Sequence, residues 1–325
     1  MLLGTRAHFD YFECGACGCV QLAAPACDEA DVDERKETYP ADYYTKMREP
    51  RIGRVGGVLG WRRHWTRFRL GSGGFGRLLS GRRYARFDWF RRTGTRMGDK
   101  ILDVGCGSGR LLARMRADGF EDLTGLDPDL DSEKGARPGL RWISTSLAAE
   151  VGSGAEEGEY DLVMAHHSFE HMSDPRAAMQ ALASLLRDGG FILLRIPRAD
   201  SWAYRHYGAD WSQLDAPRHT HLFTRRSIEI LCAAAGLRIA HVEDDSGPFQ
   251  IWGSELYRRD IALSESRARP AGQRLRHRLQ RLAARRKARA LQRQGLGDQA
   301  CFYLEKREPG GRGGGSGSGS GADAT

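Results

Sequence analysis

The stretch Lys-Ile-Leu-Asp-Val-Gly-Cys-Gly-Ser-Gly-Arg-Leu-Leu, residues 100–112, decides the fold of this chain. Its apolar start, residues 101–104, predicts a short buried strand, and the glycines after it predict a tight turn that leads into a helix. Gly105, Gly107 and Gly109 have no Cβ, so the backbone of this turn can approach a ligand closely. The helix that follows directs unpaired backbone N–H groups toward the same place. The stretch therefore predicts a strand–turn–helix unit that binds a ligand at the turn.

Acidic residues near the turn indicate the kind of ligand. Asp127 ends a second predicted strand, where a carboxylate can accept both hydroxyls of a ribose. The nicotinamide fingerprint Gly-x-Gly-x-x-Gly requires its third glycine at a position that Arg110 occupies. Asp103 comes just before the first glycine and suits a cationic amino-acid group better than a pyrophosphate. The pattern therefore favours a ligand with a ribose and an ammonium group over a nicotinamide dinucleotide.

Strands and helices alternate regularly from residue 98 onward, which is typical of an α/β fold. We expect a doubly wound, parallel sheet with helices on both faces. The predicted strands cover residues 101–104, 123–126, 140–144, 160–165, 191–196, 237–242 and 301–304, and the predicted helices include 110–118, 175–186 and 225–235.

Four stretches of the chain resemble class I S-adenosylmethionine-dependent methyltransferases. Ile101-Leu-Asp-Val-Gly-Cys-Gly-Ser-Gly109 resembles the first motif of this superfamily, and Gly125-Leu-Asp127 is similar to its ribose-binding acid. Residues 160–171, Tyr-Asp-Leu-Val-Met-Ala-His-His-Ser-Phe-Glu-His, resemble the fourth strand and its loop, and residues 186–193 resemble the entry to the fifth strand. The resemblance covers residues 98–305. It implies S-adenosyl-L-methionine as cofactor and a Rossmann-like, seven-stranded sheet whose last strand is antiparallel.

The turn and the resemblance together predict a set of cofactor contacts. Cys106 faces the cofactor from inside the turn, without a base partner that would make its thiol catalytic. Ser144 to Leu147 follow the third strand, where they are expected to border the adenine. The predicted cofactor-binding residues are Asp103, Gly105, Cys106, Gly107, Gly109, Asp127, Ser144, Leu147 and His166.

The candidate catalytic residues follow the fourth and fifth strands, whose carboxyl ends border the crevice of such a sheet. Histidine is the side chain best suited to accept a proton near neutral pH. His167 is the first candidate for a general base and His219 the second, with His171 and Glu170 as further candidates. A structural role is the alternative for each: His171 could bond the backbone, and Glu170 could pair with Arg218.

The N-terminal part, residues 1–50, contains Cys14-Gly-Ala-Cys17, which has the spacing of a zinc knuckle. A structural zinc site needs four ligands, and His8 and Cys27 could complete a set only with irregular spacing. A methyltransferase subgroup associated with bacterial glycan and secondary-metabolite clusters often opens with such knuckles. We interpret residues 1–50 as a degenerate zinc-ribbon-like segment and predict no metal ligands, with a bound zinc ion as the alternative.

Two basic segments account for the formal net charge of +8. Residues 51–97 are interpreted as a basic helical cover, and residues 267–294 as an inserted arginine-rich helix, with Leu275, Leu279, Leu282 and Leu291 near one face. These segments fit an anionic membrane surface or an ordinary solvated surface. The Gly/Ser-rich tail, residues 306–325, is predicted to be disordered. The absence of a long apolar run and the odd number of cysteines favour a cytoplasmic location, with possible peripheral contact at the inner face of the membrane.

The sequence therefore predicts methyl transfer to a small-molecule or glycan acceptor, with oxygen as the preferred methylated atom. Trp202, Tyr207 and Trp211 suit packing against a sugar or polyketide-like ring, or a place in the core. Two alternatives stay open. A nucleic-acid methyltransferase is supported only by the basic segments, so nucleic acid is the less favoured partner. A non-catalytic, cofactor-binding scaffold at a membrane would keep its role without the histidines.

Overall fold

The structure is a computed structural model that describes residues 8–23, 85–130, 140–154, 157–261 and 274–307. The predictions for most of the basic cover, up to residue 84, and for the tail from residue 308 lie outside these described residues. So does the first part of the inserted segment, residues 262–273.

Ten strands are defined in the described residues. They are β1 Tyr11–Glu13, β2 Val20–Leu22, β3 Lys100–Val104, β4 Asp122–Leu126, β5 Arg141–Ile143, β6 Tyr160–His166, β7 Leu186–Pro197, β8 His221–Leu222, β9 Leu237–Asp244 and β10 Gln299–Lys306. The helices are α1 Ala85–Thr93, α2 Arg110–Ala117, α3 Leu147–Gly152, α4 Pro175–Leu185, α5 Trp202–Tyr207, α6 Arg225–Ala234, α7 Phe249–Tyr257 and α8 Arg274–Arg293, with short 3-10 turns at Phe169–His171 and Gly208–Asp210.

Seven of these strands form the central sheet, in the order β5-β4-β3-β6-β7-β10-β9. The pairs between β3, β4, β5, β6 and β7 are parallel, while β10 runs antiparallel to both β7 and β9. The predicted seven-stranded, doubly wound sheet with an antiparallel last strand is therefore confirmed. Ile101, Leu102 and Val104 are buried in β3, as expected for a parallel strand that helices cover on both faces.

A second, smaller sheet joins the N-terminal segment to the rest of the fold. β1 and β2 form an antiparallel hairpin, and β2 also pairs with β8. The turn of the hairpin is closed by a hydrogen bond from the Gly18 N–H to the Cys14 carbonyl, 2.7 Å long, and Gly18 has a φ of 70°. The Thr224 hydroxyl donates to the Cys17 carbonyl at 2.6 Å. The sequence analysis did not predict this sheet.

The arginine-rich helix α8 does not present its leucines on one face. Its buried side chains are Ala284, Ala288 and Leu291, which pack in one cluster with Ile251 of α7. Leu279 and Leu282 are 58% and 48% exposed whereas Leu291 is buried, so the prediction that these leucines lie near one face is wrong. The physical reason is that close helix packing here uses the small alanine side chains of the second half of the helix. None of the helices in the described ranges combines the length and apolarity needed to cross a membrane.

Candidate active site

The glycine turn after β3 has a backbone that only glycine adopts readily. The φ angles of Gly105, Gly107 and Gly109 are 71°, 53° and 64°. A Cβ on Gly105 would lie 2.9 Å from the Oγ atom of Ser168, whose hydroxyl donates a 2.7 Å hydrogen bond to the Val104 carbonyl. The missing side chain therefore lets the loop after β6, which contains the candidate histidines, lie directly against the turn.

Trp142 of β5 explains why two glycines occur on the other side of the turn. A Cβ on Gly109 or on Gly125 would lie 2.6 Å from Cζ3 of the Trp142 ring. The indole therefore fills the space between the start of α2 and strand β4. The sequence analysis missed Trp142, although a glycine inside a predicted strand, Gly125, is a known signal of close approach by another group.

Two acidic side chains lie at the ends of β3 and β4. Asp127 accepts hydrogen bonds from the backbone N–H of Gly107 at 2.8 Å and of Asp129 at 2.9 Å. Asp103 is only 3% exposed, and its burial, together with the nearby charge of Asp127, raises its pKa to about 7. A pair of neighbouring carboxylates, one of them buried, fits a ligand that carries a positive charge. Because each Asp127 oxygen keeps a second lone pair, the site also fits ribose hydroxyls.

The remaining predicted cofactor contacts lie in different surroundings. The exposed Ser144 donates its hydroxyl to the Leu130 carbonyl at 3.1 Å, whereas Leu147 is buried in the main hydrophobic core. Cys106 is half-buried, and burial raises the pKa of its thiol. His166 is the last residue of β6, and its ring lies 4.7 Å from that of Trp89. Burial lowers the pKa of His166 well below its usual range. The cofactor contacts of these side chains stay predictions.

His167 follows β6 directly and has both ring nitrogens engaged. Nε2 lies 2.9 Å from NH1 of Arg195, and because a guanidinium group only donates, Nε2 accepts this bond. In the neutral ring Nδ1 therefore carries the proton, and it lies 3.3 Å from Oε1 of Glu170. Arg195 is itself bound to Asp245 by hydrogen bonds of 2.7 and 3.0 Å, a pair that the sequence analysis missed. For His167 to act as a general base, Arg195 would have to move away from the Nε2 atom of His167.

His219 and His171 each bond a backbone carbonyl through Nδ1 and not through Nε2. His219 Nδ1 lies 2.6 Å from the Gln213 carbonyl, and His171 Nδ1 lies 2.8 Å from the Arg218 carbonyl. Because a carbonyl only accepts, both Nδ1 atoms carry the proton in the neutral rings, which leaves a lone pair on each Nε2. The two rings are 4.9 Å apart. The hydrogen bond of His171 to the backbone is the structural role that the sequence analysis gave as the alternative to catalysis.

Glu170 lies between the three histidines and is fully buried. Its Oε1 atom is 3.3 Å from His167 Nδ1 and 3.9 Å from His219 Nε2. Burial alone would raise the pKa of Glu170, but the hydrogen bond from His167 and the charges of the three histidines lower it to about 2. Arg218 forms an ion pair with Asp215.

The aromatic residues after β7 belong to the core. Trp211 is fully buried, and its indole N–H donates to Asp298 at 3.2 Å. Tyr207 is 6% exposed, and the Trp202 ring stacks on His206 and contacts the Lys287 ammonium at 3.7 Å. Of the two readings left open for Trp202, Tyr207 and Trp211, the structure therefore favours a place in the core.

Comparison with known proteins identifies the family. Residues 78–242, about half of the chain, match a family model described as a methyltransferase domain. The chain belongs to this family, that of the class I S-adenosylmethionine-dependent methyltransferases.

Its curated relatives include ubiquinone biosynthesis O-methyltransferases. The protein of Pectobacterium atrosepticum is 34% identical over 131 residues, which cover 38% of this chain and 54% of the relative. That of Aromatoleum aromaticum is 31% identical over 168 residues, covering 48% and 71%. The chain thus spans about half the length of the first of these relatives. Among solved structures, a 1,6-didemethyltoxoflavin-N1-methyltransferase from Burkholderia thailandensis has a TM-score of 0.44 and 12% identity, covering 93% of this chain and 99% of that one.

Proposed function

We propose that this methyltransferase methylates a hydroxyl oxygen of a small-molecule or glycan acceptor. The observation that carries the proposal is the cluster of Glu170, His171 and His219. Glu170 and His171 follow Ser168, which donates to the Val104 carbonyl just before the glycine turn, and His219 comes from the segment between β7 and β8. Removal of a hydroxyl proton needs an acceptor of this kind close to the methyl group. The relatives described above are ubiquinone biosynthesis O-methyltransferases, and this supports transfer of the methyl group to an oxygen.

The cofactor supplies a methyl group on a sulfonium centre, which is already activated for displacement. We propose that Asp103 binds its ammonium group and that Asp127 accepts its ribose hydroxyls. The glycine turn allows close approach of the backbone, and the loop after β6 places the histidines on the acceptor side. The chain then needs to align the acceptor oxygen, exclude water and remove one proton. Glu170 is fully buried, and its charge opposes the burial that lowers the pKa of His219.

The test is a methyl-transfer assay with isotope-labelled S-adenosylmethionine and a panel of phenolic and sugar acceptors, analysed by mass and by carbon NMR. We expect label on an oxygen, and we expect His219→Asn to lower kcat by about 10²-fold or more while cofactor binding stays unchanged. His241→Ala, an exposed histidine on β9, is the matched control. Label on nitrogen or carbon, or on RNA or DNA added in parallel, would overturn the proposal.

We also propose that α8 contacts an anionic membrane surface. The exposed Leu279 and Leu282 lie on the same face of the helix as the exposed Arg286, whereas Arg281 packs over the Trp252 ring of α7. Apolar side chains flanked by arginine are the pattern of a helix that lies in the interface of an anionic bilayer. Such contact would bring the site to lipid-linked acceptors.

A further inference from the structure

Three potential metal ligands converge beside the glycine turn. Each of Glu170, His171 and His219 offers one ligand atom, and these atoms lie within 4.8 Å of one another. Glu170 is fully buried, His219 is 5% exposed, and His171 is half-buried. Two chain segments supply the set, and the N–H of Thr220 connects them through a 3.0 Å hydrogen bond to the Glu170 carbonyl.

One carboxylate oxygen in this cluster lacks a hydrogen-bond partner. Oε1 of Glu170 faces His167, but Oε2 is buried and has no hydrogen-bond partner within the described part of the chain. A buried carboxyl oxygen without a partner is costly unless a hydrogen-bond donor or a cation satisfies it. The unpaired oxygen is therefore an observation that points to a ligand independently of the clustering.

The histidines are oriented as metal ligands are. Both donate Nδ1–H to a backbone carbonyl, His171 to Arg218 and His219 to Gln213, which fixes the ring and leaves the Nε2 lone pair for a ligand. A hydrogen bond from the second ring nitrogen to a carbonyl is the usual arrangement behind a metal-bound imidazole. His167 does not share it, because Arg195 donates to its Nε2 atom.

We propose that Glu170, His171 and His219 bind one divalent transition-metal ion of the zinc class. Two imidazoles and one carboxylate are a ligand set that such ions accept, and three protein ligands leave a coordination position open. The inference rests in part on the proposed function, since a cation here would lower the pKa of an acceptor hydroxyl that binds to it. Because the metal would occupy the Nε2 lone pairs, it would take the place of a histidine base, and the hydroxyl proton would leave to water. The proposed metal site departs from the prediction, made from the sequence, that the chain has no metal ligands.

The experiment measures metal directly and needs no acceptor. Chelator-treated full-length protein is titrated with Co²⁺, and its visible ligand-field absorption is recorded; zinc content after reconstitution is measured by mass spectrometry. We expect about one metal ion per chain. Glu170→Gln and His171→Ala should each lower the metal affinity by 10-fold or more. His241→Ala serves as the histidine control.

The N-terminal thiols are the competing ligands and are tested separately. Cys14→Ser/Cys17→Ser should leave the cobalt spectrum and the zinc content unchanged. Loss of metal in this double variant alone, or no metal binding by the parent protein, would overturn the proposal. Thermal unfolding and S-adenosylmethionine titration of each variant show whether it is folded. Metal binding without transfer to any hydroxyl would contradict the proposed function and leave the metal site standing.

Discussion

At the scale of single residues, the site depends on the positions of glycines, which have no side chain. Gly105 makes room for Ser168, and Gly109 and Gly125 make room for Trp142. The glycine spacing alone predicts that a residue without a side chain is needed at Gly105. It does not predict the role of Gly125, because the neighbouring indole comes from a strand whose pairing is not visible in the local pattern.

Gly125→Ala should destabilise the protein by about 1–3 kcal/mol, because the new methyl group would overlap the Trp142 ring. The backbone of Gly125 is not in the left-handed region, so the cost comes from packing. Chemical denaturation measures the change. Trp142→Leu in the same chain should recover part of the loss, whereas Gly152→Ala, with nothing within 4 Å of its added Cβ, should have little effect. Equal losses in Gly125→Ala and Gly152→Ala would contradict this explanation.

Asp103 should make both stability and cofactor affinity depend on pH. The pKa of Asp103 is about 7 in the folded protein, and its ordinary value is 3.8. Between these two pH values the folded chain therefore binds a proton that the unfolded chain does not. The free energy of unfolding of the free protein should therefore fall as pH rises from about 4 to about 7. Asp103→Asn should reduce this slope, which urea denaturation at several pH values measures.

A cationic cofactor group favours the ionised form of Asp103, so binding below pH 7 should take place with release of a proton. The affinity for S-adenosylmethionine should then fall by up to about tenfold per pH unit below 7. Calorimetry in buffers of different ionisation enthalpy measures the released proton. An affinity that is constant from about pH 6 to about pH 8 would show that Asp103 does not face the cationic group.

At the scale of elements, the strands of the sheet are predicted well and the ends of the helices and strands less well. β7 begins at Leu186, immediately after α4, and not at residue 191 as predicted. The sequence there contains Asp188 and two glycines, which favour a turn in the local pattern. The pairing with β6 is irregular at this point, because Tyr160 pairs with Leu186 and the next pair is Leu162 with Phe191. The leucines of α8 were expected near one face, but Leu291 is buried with Ala284 and Ala288 while Leu279 and Leu282 are exposed. Large leucines dominate a hydrophobic pattern, whereas small alanines make much of the contact here.

Leu279→Ser/Leu282→Ser tests the proposed membrane contact of α8. Both side chains are exposed, so the melting temperature should change little. Binding to vesicles that contain anionic lipid should weaken several-fold, while neutral vesicles should bind poorly to both proteins. Cosedimentation at low and at physiological salt measures this. Parent protein that ignores anionic vesicles, or a double variant that binds them equally well, would contradict the proposed contact.

At the scale of the whole molecule, the sequence predicts the architecture because strand–helix alternation and the glycine turn are local signals. The candidate site was predicted only in part, because its connections are long-range. Arg195 and Asp245 are 50 residues apart in the chain, and the Tyr11 hydroxyl donates to the His219 carbonyl across 208 residues. No local pattern indicates such pairs. They determine which ring nitrogens are free, and so distinguish His167 from His171 and His219.

The most direct test of the central claim is calorimetric titration of the full-length protein with S-adenosylmethionine. The claim is that the glycine turn, with Asp103 and Asp127, binds this cofactor. We expect one site per chain for S-adenosylmethionine and no binding of NAD. Asp127→Ala should weaken cofactor binding by about 10- to 100-fold, the effect of losing hydrogen bonds to a charged group. An affinity for S-adenosylmethionine that is unchanged in both Asp127→Ala and Gly107→Val would contradict the claim.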